Sequence, residues 1–202
     1  MKQLIIIGAS GHGKVVADIA EKNGYDPIVF LDDNTELTSC GRYPVVGKSD
    51  DFSKHEGDVF VAIGSASVRS LMLQKLEEAG RTVPVLLHPG AIVAEDVFIG
   101  IGTAAAAGAI INPGAVIGKG CILNTASSVD HDCVLGDYVH VAVGAHLAGN
   151  VTVGERTWVG AGAVISNNID VCGDCMIGAG AVVVGDMKES GTYVGVPAKL
   201  RK

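Results

Sequence analysis

The chain has 202 residues, 48% of them hydrophobic, and a formal net charge of −7; that is ample apolar material for one or two cores and the wrong sign for nucleic acid or an anionic membrane as partner. No apolar stretch approaches the roughly eighteen residues that span a bilayer, and the run at residues 4–7 is too short for the core of a secretory signal. The expected location is the cytoplasm, where the five cysteines are expected to stay reduced.

The first elements alternate in type. Residues 4–7 form a buried-strand run, Gly8 to Gly13 (Gly-Ala-Ser-Gly-His-Gly) a tight turn, and residues 14–22 a helix with Val15, Val16, Ile19 and Ala20 on its buried side. A strand at 28–31 ends in Asp32-Asp33, an apolar run at 59–63 is closed by Gly64, and a helix over 68–79 leads to a strand at 83–87. This alternation predicts an α/β, Rossmann-like domain over residues 1–84. The glycine turn is spaced G-x-x-G-x-G rather than G-x-G-x-x-G, and the sheet is too small for two mononucleotide halves, which disfavours NAD. Glycines at a strand end still let backbone N–H groups approach a diphosphate, and Asp32 and Asp33 stand where an acidic residue meets a ribose or a base. A nucleotide sugar is the natural ligand, although the same glycines also suit a bare strand-to-helix connection.

From Leu87 to Val183 every sixth residue is apolar: seventeen positions hold sixteen Val, Ile or Leu and one alanine, Ala105. The position two before each is small or β-branched, as at Thr103, Cys121, Cys133, Thr157 and Cys175. Gly100, Gly118, Gly136 and Gly154 recur every eighteen residues, so three hexads make one coil. One inward aliphatic per short repeat predicts a solenoid of brief strands and tight turns over residues 85–185, followed by a tail at 186–202. The pattern resembles the left-handed parallel β-helix of hexapeptide-repeat acyltransferases.

The glycine turn with Lys14, then Phe30-Leu-Asp-Asp33, then Ala62-Ile-Gly64, then the hexads, are together similar to the sialic acid O-acetyltransferase family. Within it the match leans to the branch that N-acetylates nucleotide-linked 4-amino-4,6-dideoxy sugars, such as UDP-N-acetylbacillosamine N-acetyltransferase. The resemblance implies acetyl transfer from acetyl-CoA to a sugar amine, or on the other branch to a sialic acid hydroxyl. It also implies a homotrimer with active sites between neighbouring solenoids, and no metal.

Direct attack on a thioester needs a proton acceptor, a polarised carbonyl and a grip on CoA. His131, two residues after the inward Val129, falls in an outward turn and is the candidate base, with Asp132 beside it to fix one tautomer and raise its basicity. The resemblance implies the same two roles, with Asp here in place of Glu. Gly149 follows His131 by eighteen residues, one coil on in the same turn; its N–H is a candidate donor to the acetyl oxyanion, and a positive φ explains a turn glycine equally well. The resemblance further implies His140 at the acetyl-CoA end of the cleft and Ala161 and Ala179 along the pantetheine. At the nucleotide end it implies Ser10, Gly11, His12, Asp32, Asp33 and Gly64. His12 suits donation to a phosphate or capping of the turn, and Lys199 or Arg201 suits CoA phosphates or a solvated tail.

Two other classes stay open. His131, His140 and His146 on a β-helix raise a three-histidine zinc site of γ-carbonic-anhydrase type, but the equal hexad place of His140 and His146 points them from two different faces. A non-catalytic nucleotide-sugar-binding protein is the other, and the His131-Asp132 pair counts against it.

Overall fold

A computed structural model of the chain describes residues 2–201, and their contacts cluster into two units that divide between Pro89 and Gly90. In the first unit the order is β1 (Lys2–Ile7), α1 (Gly11–Lys22), β2 (Tyr25–Leu31), the two short strands β3 (Ser39–Cys40) and β4 (Tyr43–Pro44), a 3-10 turn (Ser49–Lys54), β5 (Asp58–Val61) and α2 (Ala66–Glu78). The parallel sheet runs β2-β1-β5. Leu4 to Ile7 are each 0% exposed, which accounts for an unbroken apolar run rather than an alternating one: both faces of the central strand are covered.

Helix α1 begins at Gly11, earlier than the expected residue 14. Gly13 lies inside the first turn, where a Cβ would meet the Gly8 carbonyl and the Phe30 ring, so these glycines set the close packing of helix on strand rather than a longer loop. The strand expected at 83–87 shrinks to Leu86–Leu87 and is not part of the three-stranded sheet. Pro84 has no N–H to give to a ladder, and only the Thr82 carbonyl reaches β5, accepting from Val59 N at 3.0 Å.

The second unit is a parallel β-helix with three faces. Two-residue strands stack eighteen residues apart, as in Ile110, Ser128, His146 and Val164 on the first face, Val116, Val134 and Thr152 on the second, and Ile122, His140 and Trp158 on the third. The tail continues the third face: Gly191–Val194 pairs parallel with Cys175–Ile177, and Lys199–Leu200 turns back antiparallel. Inward aliphatics are sealed, with Ile111, Ile117, Val129 and Val153 at most 1% exposed. Their small partners also bond between coils: Thr103 Oγ1 donates to Gly118 O at 2.9 Å and Cys133 Sγ to Ala148 O at 3.1 Å.

Two ladders of special residues shape the coils. Gly100, Gly118, Gly136 and Gly154 have no positive φ; a Cβ on Gly136 would stand 2.7 Å from Glu155 N of the next coil, and the others meet the chain similarly. Gly114, Asp132, Asn150 and Asn168, by contrast, turn one corner with φ of 57° to 74°, a left-handed conformation to which Gly, Asn and Asp are best suited. Among the described residues no helix is long and apolar enough to cross a membrane.

Candidate active site

His131 stands at the corner between the first and second faces, in the turn between the strands Ser128–Val129 and Val134–Leu135. Its N–H donates to Asp130 Oδ1 at 2.8 Å, and the same oxygen accepts from Asn112 Nδ2 at 2.8 Å one coil away; these contacts hold the Asp130 carboxyl below the usual carboxylate range. The His131 side chain is 60% exposed, and its Nδ1 meets Asp132 Oδ2 at 2.8 Å. That hydrogen bond, with a smaller contribution from Asp130, raises the imidazole pKa. Asp is therefore long enough for the contact, because its left-handed backbone (φ 58°) turns the carboxylate back toward its neighbour.

Gly149 is buried one coil on. Its φ is not positive; the glycine is needed because any Cβ would fall on the His131 ring, nearest Nε2. Its carbonyl accepts from Asn168 N at 3.1 Å, while its N–H has no acceptor among the described residues. The His131 ring thus packs on a glycine whose backbone N–H is not engaged. Cys133 follows immediately but is 0% exposed, and burial pushes its thiol pKa up.

His140 lies on the third face, across the β-helix from that corner, and is 7% exposed. The outward place in the hexad predicts a solvent-facing ring; instead Trp158, one coil on, covers it with ring centroids 4.1 Å apart, and its Nε2 lies 3.3 Å from Asn124 Nδ2. His146 is on the first face, with Nδ1 2.8 Å from Ser128 Oγ, so the three histidines do not converge within one chain. Ala161 and Ala179 are exposed and stack at one corner, Gly180 N donating to Ala161 O at 2.9 Å. Lys199 is exposed in the antiparallel tail strand.

The second cluster belongs to the first unit. Ser10 precedes α1 with no side-chain capping bond, and the Cα hydrogens of Gly11 and Gly64 face open space. Asp32 ties the loop together: Oδ2 accepts from Ala9 N at 2.7 Å and Oδ1 from Asn34 N at 2.9 Å, while Asp33 Oδ1 accepts from Ser49 N at 3.0 Å. Beside Asp32 opens a cleft of about 570 Å³ lined also by Asn34, Thr38, Lys48 and Lys54, within the usual size of a ligand pocket. His12 Nε2 is buried without a partner; burial first, and the charge of Arg69 second, hold its pKa at about 4, so the ring is neutral. Arg69 is absent from the residues singled out in the sequence, although its spacing with Met72, Leu73 and Leu76, all buried, is the period of a helix's inner face.

Comparison with known proteins fits both units. A family model described as the PglD N-terminal domain matches residues 3–76. The acetyltransferase domain of PglB from Neisseria gonorrhoeae is 40% identical with a TM-score of 0.96 over 100% of both chains, and is also known in complex with acetyl coenzyme A. A variant of perosamine N-acetyltransferase from Caulobacter crescentus, in complex with CoA and GDP-perosamine, is 34% identical with a TM-score of 0.94 over 100% of this chain and 98% of that one. UDP-N-acetylbacillosamine N-acetyltransferase of Bacillus subtilis is 34% identical over 113 residues, 53% of this chain and 52% of that protein; the chain thus matches about half the length of this curated relative.

A Rossmann-like domain followed by a left-handed parallel β-helix defines the class, the hexapeptide-repeat acyltransferases. Within that class the chain belongs to the sialic acid O-acetyltransferase family, on its nucleotide 4-amino-sugar N-acetyltransferase branch.

Proposed function

We propose that the chain transfers the acetyl group of acetyl-CoA to the amine of a nucleotide-linked 4-amino-4,6-dideoxy sugar of the bacillosamine or perosamine type, with His131 as general base. The observation that carries this reading is the His131 corner, where a carboxylate holds Nδ1 and Nε2 lies against Gly149, whose N–H is unengaged. With its proton on Nδ1, beside Asp132, the imidazole offers the Nε2 lone pair to the substrate. The sugar amine attacks the thioester carbonyl carbon, the carbonyl oxygen becomes an oxyanion at the Gly149 N–H, and Nε2 takes the proton from nitrogen. Collapse expels the CoA sulfur, which takes that proton from the imidazolium; the products are the amide and the CoA thiol. In this reading attack is direct, with no acyl-enzyme; Cys133, the thiol next to the base, is sealed and burial pushes its pKa up, which suits it poorly to act as a nucleophile.

In this reading Ser10, Gly11, His12, Asp32, Asp33 and Gly64 bind the nucleotide sugar, and His140, Gly149, Ala161, Ala179 and Lys199 lie along acetyl-CoA. His131 and His140 occupy opposite parts of one β-helix, so a cleft that uses both takes them from two chains; a homotrimer with sites between solenoids supplies it. The relatives that bind acetyl coenzyme A and GDP-perosamine support both ends of the site.

The test is product chemistry. Incubation with acetyl-CoA and UDP-linked or GDP-linked 4-amino sugar is expected to give a sugar nucleotide whose new acetyl group survives mild alkali, as an amide does. An alkali-labile ester formed only on sialic acid would move the enzyme to the O-acetyl branch.

A further inference from the structure

Arg69 is among the largest side chains wholly removed from solvent, at 1% exposure. A guanidinium held out of water costs desolvation unless its donors are satisfied, so what it bonds decides what it does. Its Nη1 donates to the carbonyl oxygens of both Ile63 (2.8 Å) and Gly64 (2.9 Å), at the end of β5, and its charge is felt at His12 in the first turn of α1. Ile63 Cγ1 in turn sits 3.0 Å from where a Cβ on Gly8 would stand. One side chain therefore braces the loop after β5 and stands behind the glycine turn after β1. Both loops open at the carboxyl edge of the parallel sheet, where such sheets bind ligands.

We propose that Arg69 is a positioning residue for the acceptor's nucleoside diphosphate: it clamps the Ile63 and Gly64 carbonyls in the shape the ligand meets and sets a fixed positive charge behind the Ser10–His12 turn. This rests on the reading of Ser10, Gly11, His12, Asp32 and Gly64 as the nucleotide end of the site. With His12 neutral, the guanidinium supplies a lasting charge that adds to the N-terminal end of α1 in favouring an anion.

Calorimetric titration with UDP and GDP, steady-state kinetics and thermal melting on wild type, Arg69→Met and Arg69→Lys test the proposal. Arg69→Met is expected to weaken nucleotide binding and raise the acceptor KM by roughly tenfold or more, while the acetyl-CoA KM and the kcat at saturating acceptor stay within about twofold. If Arg69→Met does not fold, Arg69→Lys decides: it keeps the charge, loses the two-carbonyl clamp and is expected to bind nucleotide several-fold more weakly. A folded variant that binds nucleotide like wild type, or that loses kcat and both KM values alike, overturns the proposal. Wild type that binds neither UDP nor GDP overturns the nucleotide reading itself, and the proposal with it.

Discussion

Asp132 and Gly149 act on His131 from opposite sides, one through a hydrogen bond and the other through the absence of a side chain. The Asp132 bond raises the His131 pKa, and a base must be neutral to accept a proton, so kcat/KM is expected to rise as pH climbs through that raised pKa. In Asp132→Asn the main cause of the shift is gone; the acid limb is expected to move to lower pH and the plateau to fall, as a pH–rate profile will show. An unmoved limb would mean that Asp132 does not govern the base. Gly149→Ala places a methyl on the imidazole, displacing the ring from its Gly149 contact. Its kcat is expected to fall about 10²–10⁴-fold, the usual worth of a general base moved out of place, with circular dichroism unchanged; full activity would show that the ring position set by Gly149 does not matter to the reaction.

At the scale of elements, the hexads made the β-helix legible because a solenoid repeats one physical demand, an inward aliphatic, at every step. Leu86–Leu87 was harder to bound, since an apolar run containing Pro84 has the composition of a strand and lacks a donor for its ladder. The period-18 glycines were visible, but their reason was not: the close approach of successive coils, seen where a Cβ on Gly136 would meet Glu155 N, is a tertiary fact. Gly136→Val is therefore expected to destabilise the β-helix by about 1–3 kcal/mol, the usual scale of overpacking, read as a lower urea midpoint; an unchanged midpoint would show that the coils can separate freely. The burial of His140 under Trp158 and of Arg69 under the sheet edge likewise depends on residues far along the chain or one helical turn away. In the first unit, folding holds His12 at about 4 against about 6.5 when unfolded. The unfolded chain takes up that proton first, so stability is expected to fall as pH drops from 6.5 toward 4, by up to about 3 kcal/mol. His12→Gln is expected to flatten that slope in urea titrations at the two ends of the range, and an equal slope would remove His12 as its cause.

Across the whole molecule, the second unit exposes Ile92 (65%), Phe98 (63%) and Val134 (43%) on the two faces that flank His131, apolar area that suits burial against another copy. Equilibrium sedimentation is expected to give the mass of three chains, and a monomer at micromolar concentration would contradict the shared cleft. The central claim is narrower than assembly: one imidazole deprotonates a nucleotide-linked amine. Its most direct test is CoA release from acetyl-CoA by wild type and His131→Ala in parallel, with a UDP-linked 4-amino-4,6-dideoxy sugar, GDP-perosamine and sialic acid as acceptors. The account predicts turnover on an amino sugar that falls about 10²–10⁴-fold in the variant, the usual worth of a general base; amino-sugar turnover equal in the two proteins, or none in wild type, would contradict it.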